Sequence, residues 1–298
     1  MMRILLFLLT NFSILLLISV TFRVFGIEQM LLSSGTGLDM NALLVFSCAF
    51  GFGGAFISLA LSKWMAKRAT RTQIIDAPSN PTEVWLLDTT RQLARSAGID
   101  TPEVGIFPAP EPNAFATGAR RNKSLVAVSE GLLRHMRREE VRAVLGHEIG
   151  HVANGDMVTL TLLQGVLNTF VLFFSRVVGF IVDRVVLRNE RGLGIGYFVV
   201  TIAAQIVFGI LASAIVMWYS RRREFRADAA GARLAGRSSM INALESLKRN
   251  YGRGQSMPES MAAFGISASA RSGIRRMFSS HPPLDARIQA LRSLTSLS

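Results

Sequence analysis

Cysteine is almost missing from this chain. Cys48 is the only one in 298 residues, and it lies in an apolar run. An intrachain disulfide framework is therefore excluded, and a thiolate-built structural zinc site has no ligands to draw on. Charge is also scarce, at 18%, where a soluble globular domain carries about 25%. Half of the residues are hydrophobic and mean hydropathy is +0.35. Intrinsic disorder is thus excluded as well, because there is ample apolar surface to bury. What remains is a membrane protein with a soluble part of ordinary composition.

Four apolar stretches are long enough to matter: residues 4–22, 42–61, 157–182 and 195–219. About 20 apolar residues suffice to cross a bilayer as a helix. The first follows Arg3, as a signal peptide would. It is longer than a signal core and has no small-x-small cleavage site after it, so an uncleaved span is expected. The second contains Gly51, Gly53 and Gly54, small residues that allow close helix packing in lipid. Trp64 with Lys63, Lys67, Arg68 and Arg71 marks its end at an interface. Arg176 interrupts the third stretch. Either the span stops near Ser175, or the guanidinium snorkels towards a headgroup. Trp218 and Tyr219, then Arg221, Arg222 and Arg223, close the fourth.

The net charge of +13 could suggest nucleic acid, but its placement argues otherwise. Thirteen Lys and Arg lie between the second and third stretches and fourteen after the fourth, against one and three in the other two connections. That is the positive-inside pattern, with both termini and both large loops cytoplasmic. No basic-aromatic interleaving or recognition motif supports a nucleic-acid partner. The juxtamembrane arginines fit an anionic lipid surface better.

Residues 62–156 are enough to fold. Helical spacing predicts a helix over 84–97 and another over 139–152, with short strands at 104–107 and 125–128. Pro108, Pro110 and Pro112 separate the first strand from the second. Beyond the fourth stretch, helices are expected at 224–235 and 240–248, with a last one after Pro283. Residues 252–280, rich in Gly, Ser and Met, read as loosely ordered.

The strongest chemical signal is His147-Glu148-Ile149-Gly150-His151. Positions four apart share a helix face, so His147 and His151 can point imidazoles at one Zn²⁺ while Glu148 reaches the water activated there. This is the arrangement of metal-assisted hydrolysis. Half of the four histidines in the chain sit in this pentapeptide. A catalytic zinc needs a third protein ligand. Glu224 is the best candidate, because the zinc helix ends where the third stretch enters the membrane and Glu224 comes just after the fourth leaves it. Asp228, four residues on, could orient a ligand histidine through its other ring nitrogen. The competing reading of Glu224 is an ion pair among the nearby arginines. His135 has no partner motif and reads as a solvated surface residue.

These motifs, with the four-stretch layout, resemble the HtpX family of bacterial membrane-bound zinc endopeptidases, relatives of the CaaX-processing membrane proteases. The resemblance covers nearly the whole chain. Within it, Asn113-Ala114-Phe115-Ala116-Thr117-Gly118 is similar to the family's edge strand over the active site. His281-Pro282-Pro283 with Arg287 is similar to its C-terminal motif, and Ala153-Asn154-Gly155-Asp156 to its extension of the zinc helix. The resemblance implies that His281 and Arg287 line the cleft and stabilise an oxyanion. An extended substrate could add to the 113–118 strand through its free backbone groups.

The expected fold is an α-helical membrane protein with four spans and a mainly α, zincin-like α+β cytoplasmic domain carrying a small β-sheet. Residues 1–61 would form two spans and 157–219 two more. Residues 62–156 and 220–298 would form the protease region. The expected activity is a zinc-dependent endopeptidase, with one Zn²⁺ per chain on His147, His151 and Glu224 and with Glu148 as general base. It would sit in the bacterial cytoplasmic membrane, facing the cytoplasm. The resemblance implies misfolded or damaged membrane proteins as substrates. A transporter with a structural zinc is the alternative from another class, but the polar lining of the stretches is thin for an ion path.

Overall fold

The computed structural model describes residues 20, 23–24, 32–33, 37–189, 193–252 and 281–294. The first expected span, apart from Val20, lies outside these residues, as does 253–280. The chain divides into two compact units, one of Met1–Ile57 with Thr161–Val216 and one of Ser58–Leu160 with Met217–Ser298.

The first unit holds a two-residue ladder, β1 (Leu32–Ser33) and β2 (Gly37–Leu38), and the apolar parts of three long helices. These are α1 (Met40–Thr70), α5 (Asp156–Ile181, with a π-helical turn Val182–Val186) and α6 (Ile195–Ala235). All three are long and apolar enough to cross a membrane. Small residues set their spacing: a Cβ on Gly51 would come within 2.4 Å of the Thr169 hydroxyl. Arg176 does not snorkel outward. It is fully buried, and its Nη1 donates to the Leu172 carbonyl at 3.1 Å.

The second unit is built on a four-stranded mixed sheet, ordered β3-β4-β6-β5. Its strands are β3 (Gln73–Ile74), β4 (Glu103–Phe107), β5 (Ala114–Thr117) and β6 (Leu125–Ser129). β6 runs parallel to β4 and antiparallel to β5. All five β6 residues are buried, as a central strand of Leu, Val and Ala requires. β5 forms one edge, with Ala114 opposite Val128 and Thr117 opposite Leu125.

Around the sheet lie α2 (Pro81–Ser96), the short α3 (Glu130–His135), α4 (Arg138–Asn154), α7 (Arg237–Gly252) and α8 (Leu284–Ser293). Asn80 caps α2 by accepting from the Thr82 and Glu83 amides, and Pro81 occupies the first helical position. α4 packs against β5, α2 and α7 and is buried on nearly every face, which explains why its apolar periodicity is weak. Leu145 and Ile149 are fully buried and contribute about 1.5–3 kcal/mol each. That burial fixes the helix rotation, and with it the direction of the histidines on either side of Ile149.

Two expectations need correction. The fourth stretch and the 224–235 helix are one continuous helix, α6. Its one glycine between Tyr219 and Ala235, Gly231, sits in helical conformation against α4, and no proline interrupts the run. The helix ends only at Gly236, with φ 97°. The segment 153–156 extends the zinc helix only through Ala153 and Asn154. Gly155 adopts the left-handed conformation, φ 69° and ψ 31°, closes α4 at Asn154, and lets α5 start at Asp156.

Candidate metal centre

The site begins with missing side chains. On α4, Gly146 and Gly150 lie against α6. A Cβ on Gly150 would meet the Ala230 Cβ at 2.7 Å. On the facing helix, a Cβ on Gly231 would lie 3.1 Å from the His147 backbone nitrogen. The two backbones therefore approach closely, and the side chains flanking the glycines are brought together. These are His147 and His151 from α4, and Glu224 and Asp228 from α6.

The ligand atoms of His147, His151 and Glu224, all buried, lie within 4.8 Å of one another. His147 Nε2 is 3.6 Å from Glu224 Oε2, and His151 Nε2 is 3.3 Å from Glu224 Oε1. The two imidazoles stand nearly perpendicular, at 86°. Each turns its other nitrogen to a carboxylate. His147 Nδ1 is 3.0 Å from Asp228 Oδ1, and His151 Nδ1 is 2.6 Å from Asp156 Oδ2. Arg287, from α8, donates to both Asp228 oxygens, through Nε at 2.7 Å and Nη2 at 2.6 Å. His281 Nδ1 lies 2.7 Å from Glu224 Oε2.

Electrostatically, this pocket asks for a cation. Burial alone would lower the His147 pKa, but the carboxylates of Asp228 and Glu224 raise it from 6.5 to about 9. His151 is raised against burial in the same way, by Asp156 and Glu224. Burial would raise Glu224, and the surrounding histidines hold it well below the usual carboxylate range. Asp228 is opposed by burial and falls to about 2 beside Arg287. The carboxylates thus favour positive charge at the two imidazoles, where a metal would place it. Glu224 Oε1 is buried without a hydrogen-bond partner although it faces His151. Two imidazoles and a carboxylate are the donor set of a catalytic zinc site with a position left open, so the residues present fit the ion.

The structure also places the remaining expected residues. Glu148 is half-buried on α4 beside the histidines. Ala114, Phe115, Ala116 and Thr117 form the edge strand β5, while Asn113 and Gly118 flank it. β5 packs against α4. Arg287 is nearly fully buried and committed to Asp228. His135 is exposed, with Nδ1 against the Gly131 carbonyl. Sequence reasoning gave Asp156 no role. Its signal was a carboxylate five residues after a histidine ligand and directly after a helix-ending glycine. The Gly146-x-x-x-Gly150 spacing was equally visible and equally unused.

Three comparisons bear on this arrangement. The model of peptidase family M48 matches residues 80–295. Protease HtpX of Thioalkalivibrio sulfidiphilus (strain HL-EbGR7) is 59% identical over 294 residues, covering 99% of this chain and 99% of that protein. Protease HtpX of Hahella chejuensis (strain KCTC 2396) is 60% identical over 291 residues, covering 98% and 99%. The crystal structure of S. mikatae Ste24p is similar in fold, with a TM-score of 0.61 at 16% identity, covering 96% of this chain and 67% of that one.

Proposed function

The chain belongs to peptidase family M48, and from that premise we propose that it is a zinc-dependent endopeptidase of the bacterial cytoplasmic membrane. One observation carries the reading. His147, His151 and Glu224 converge within 4.8 Å in a buried pocket, and Glu148 stands next to them on the same helix as the histidines.

His147, His151 and Glu224 would hold one Zn²⁺ per chain. When bound, zinc supplies Lewis acidity, polarising a peptide carbonyl and bringing the pKa of water down to about 7. Glu148 takes the proton from the attacking water and returns it to the leaving amine. β5 lies at an edge of the sheet, where an extended substrate would join it as a further strand. That mode reads backbone shape more than side chains, as suits unfolded polypeptide. His281 and Arg287, both at Glu224, would bring hydrogen-bond donors to the developing oxyanion.

The wider setting belongs to the same proposal. Four spans, at 4–22 and on α1, α5 and α6, anchor a zincin-like catalytic region made of 62–156 and 220–298. The distribution of Lys and Arg directs that region to the cytoplasm. A peptidase held at the bilayer meets membrane proteins and their cytoplasmic loops first, so damaged membrane proteins are its substrates.

The test is zinc-restored proteolysis in detergent. The full chain is purified with a chelator, Zn²⁺ is added back, and fragmentation of casein and of the chain itself is followed. The native protein is expected to cleave, and Glu148→Gln to be slower by about 10²–10⁴-fold. Zinc bound one per chain with no cleavage by either protein would overturn the peptidase reading. Equal rates would remove Glu148 from its role.

A further inference from the structure

Each ligand histidine in the pocket has its own carboxylate, and the two come from different places. His147 meets Asp228, on α6. His151 meets Asp156, the first residue of α5, at 2.6 Å. Asp156 is 1% exposed and His151 6%, so this contact is shielded from water. The second Asp156 oxygen faces Arg226, with Nη2 at 3.6 Å from Oδ1. Arg226 Nη2 in turn lies 3.4 Å from the Tyr219 hydroxyl.

Building on the metal-centre reading above, we propose that Asp156 is the positioning residue for His151. It fixes which ring nitrogen carries the proton, so that Nε2 is the one presented towards Glu224. The backbone shows how this comes about. α4 must end within one turn of His151 for a later residue to turn back onto it. Gly155, in the left-handed region, performs that reversal in a single residue. Asp156 is then both the first residue of α5 and a partner of the metal ligand. A carboxylate at this place strengthens the donor nitrogen and locks the ring plane, and losing such a partner weakens metal binding by about 10–100-fold.

An acidic residue at a helix start has another use, because it complements the helix dipole. The experiment separates the two roles. Zinc affinity of the full chain in detergent is measured by chelator competition, and the absorption spectrum of the Co²⁺-loaded protein is recorded alongside. Asp156→Asn keeps the shape and removes the charge. Asp156→Glu keeps the charge at the helix start and moves the carboxylate. A positioning role predicts that both variants bind zinc about 10–100-fold more weakly, with altered Co²⁺ spectra. Wild-type affinity in Asp156→Asn overturns the inference. Weak binding in Asp156→Asn with wild-type affinity in Asp156→Glu also overturns it, in favour of the dipole. If Asp156→Asn does not fold, Asp156→Ser, which suits a helix start equally well, takes its place with the same expectations. His151→Ala is the reference. Should the native chain bind no more zinc than His151→Ala, the metal centre itself fails, and the inference with it. Native binding that is lost in His151→Ala but kept in Asp156→Asn removes the Asp156 role alone.

Discussion

The two units sort their side chains by opposite rules. In the unit of Met1–Ile57 and Thr161–Val216, Val45, Ile57, Phe170, Val199 and Val207 are exposed, while Ser47, Thr169, Ser175, Arg176 and Gln205 are buried. In the other unit Leu86, Leu93, Leu145 and Ile149 are buried, and ion pairs such as Arg91 with Asp88 are exposed. The first pattern suits an apolar solvent, where polar groups must find partners inside. The second suits water. Both units bury charge, the first at Arg176 and Asp183. The second unit buries Glu224, Asp228 and Arg287 against one another, a cost that a structure bears for a site rather than for stability.

The hardest blow to the second rule is Asp228→Ala. It removes the bidentate partner of buried Arg287, leaving Glu224 at 3.6 Å, and is expected to cost about 3–5 kcal/mol, read as a lower melting temperature of the zinc-free chain in detergent. Next comes a matched pair of valines. Val207 in the first unit is 55% exposed and Val84 in the second 44%. Val207→Arg is expected to cost about 2.5–3.5 kcal/mol of membrane insertion, while Val84→Arg should stay within about 0.5 kcal/mol. Insertion efficiency and melting temperature of the two variants check this, and equal behaviour would erase the contrast.

A matched pair of glycines gives a smaller effect. Gly150→Ala places a methyl 2.7 Å from the Ala230 Cβ and is expected to cost about 1–3 kcal/mol and to weaken zinc binding. Gly53→Ala meets nothing within 4 Å and should stabilise α1 by up to about 1 kcal/mol. Melting temperatures and chelator competition on the two variants check both. The last contrast is a pH dependence confined to the second unit, which holds all four histidines. The His147 pKa in the folded chain is raised from 6.5 to about 9. Its proton therefore stabilises the zinc-free fold fully below 6.5, and that contribution disappears as pH rises through 9. Zinc needs the neutral ring. Apparent zinc affinity should climb by about tenfold per pH unit for each proton displaced, near 1.4 kcal/mol, and this proton should level off above about pH 9. Calorimetry in buffers of different ionisation enthalpy counts the protons released.

The legible parts of the sequence were those fixed by local spacing. His147 and His151 share a face because they are four apart, and Glu224 and Asp228 do so for the same reason. The apolar stretches on α1, α5 and α6 announced themselves by length. What escaped depends on contacts between distant segments. Nothing local says that Arg287 reaches Asp228 across 59 positions. The run Arg221-Arg222-Arg223 looked like an end to the fourth stretch, whereas arginine is a good helix former and α6 continues through it. Asp156 was obscured by Gly155, since a helix-ending residue normally parts the side chains before it from those after it.

The reach of Arg287 also sets an order of events during synthesis. Asp228 leaves the ribosome 59 residues ahead of its partner. At about 5–20 residues per second the carboxylate waits roughly 3–12 s for its guanidinium, and Glu224 waits nearly as long for His281. The growing chain therefore carries Glu148 and both α4 histidines well before the surroundings that hold them are complete. The buried pairs around the candidate ligands are therefore complete only after α8, among the last segments to be made, has docked.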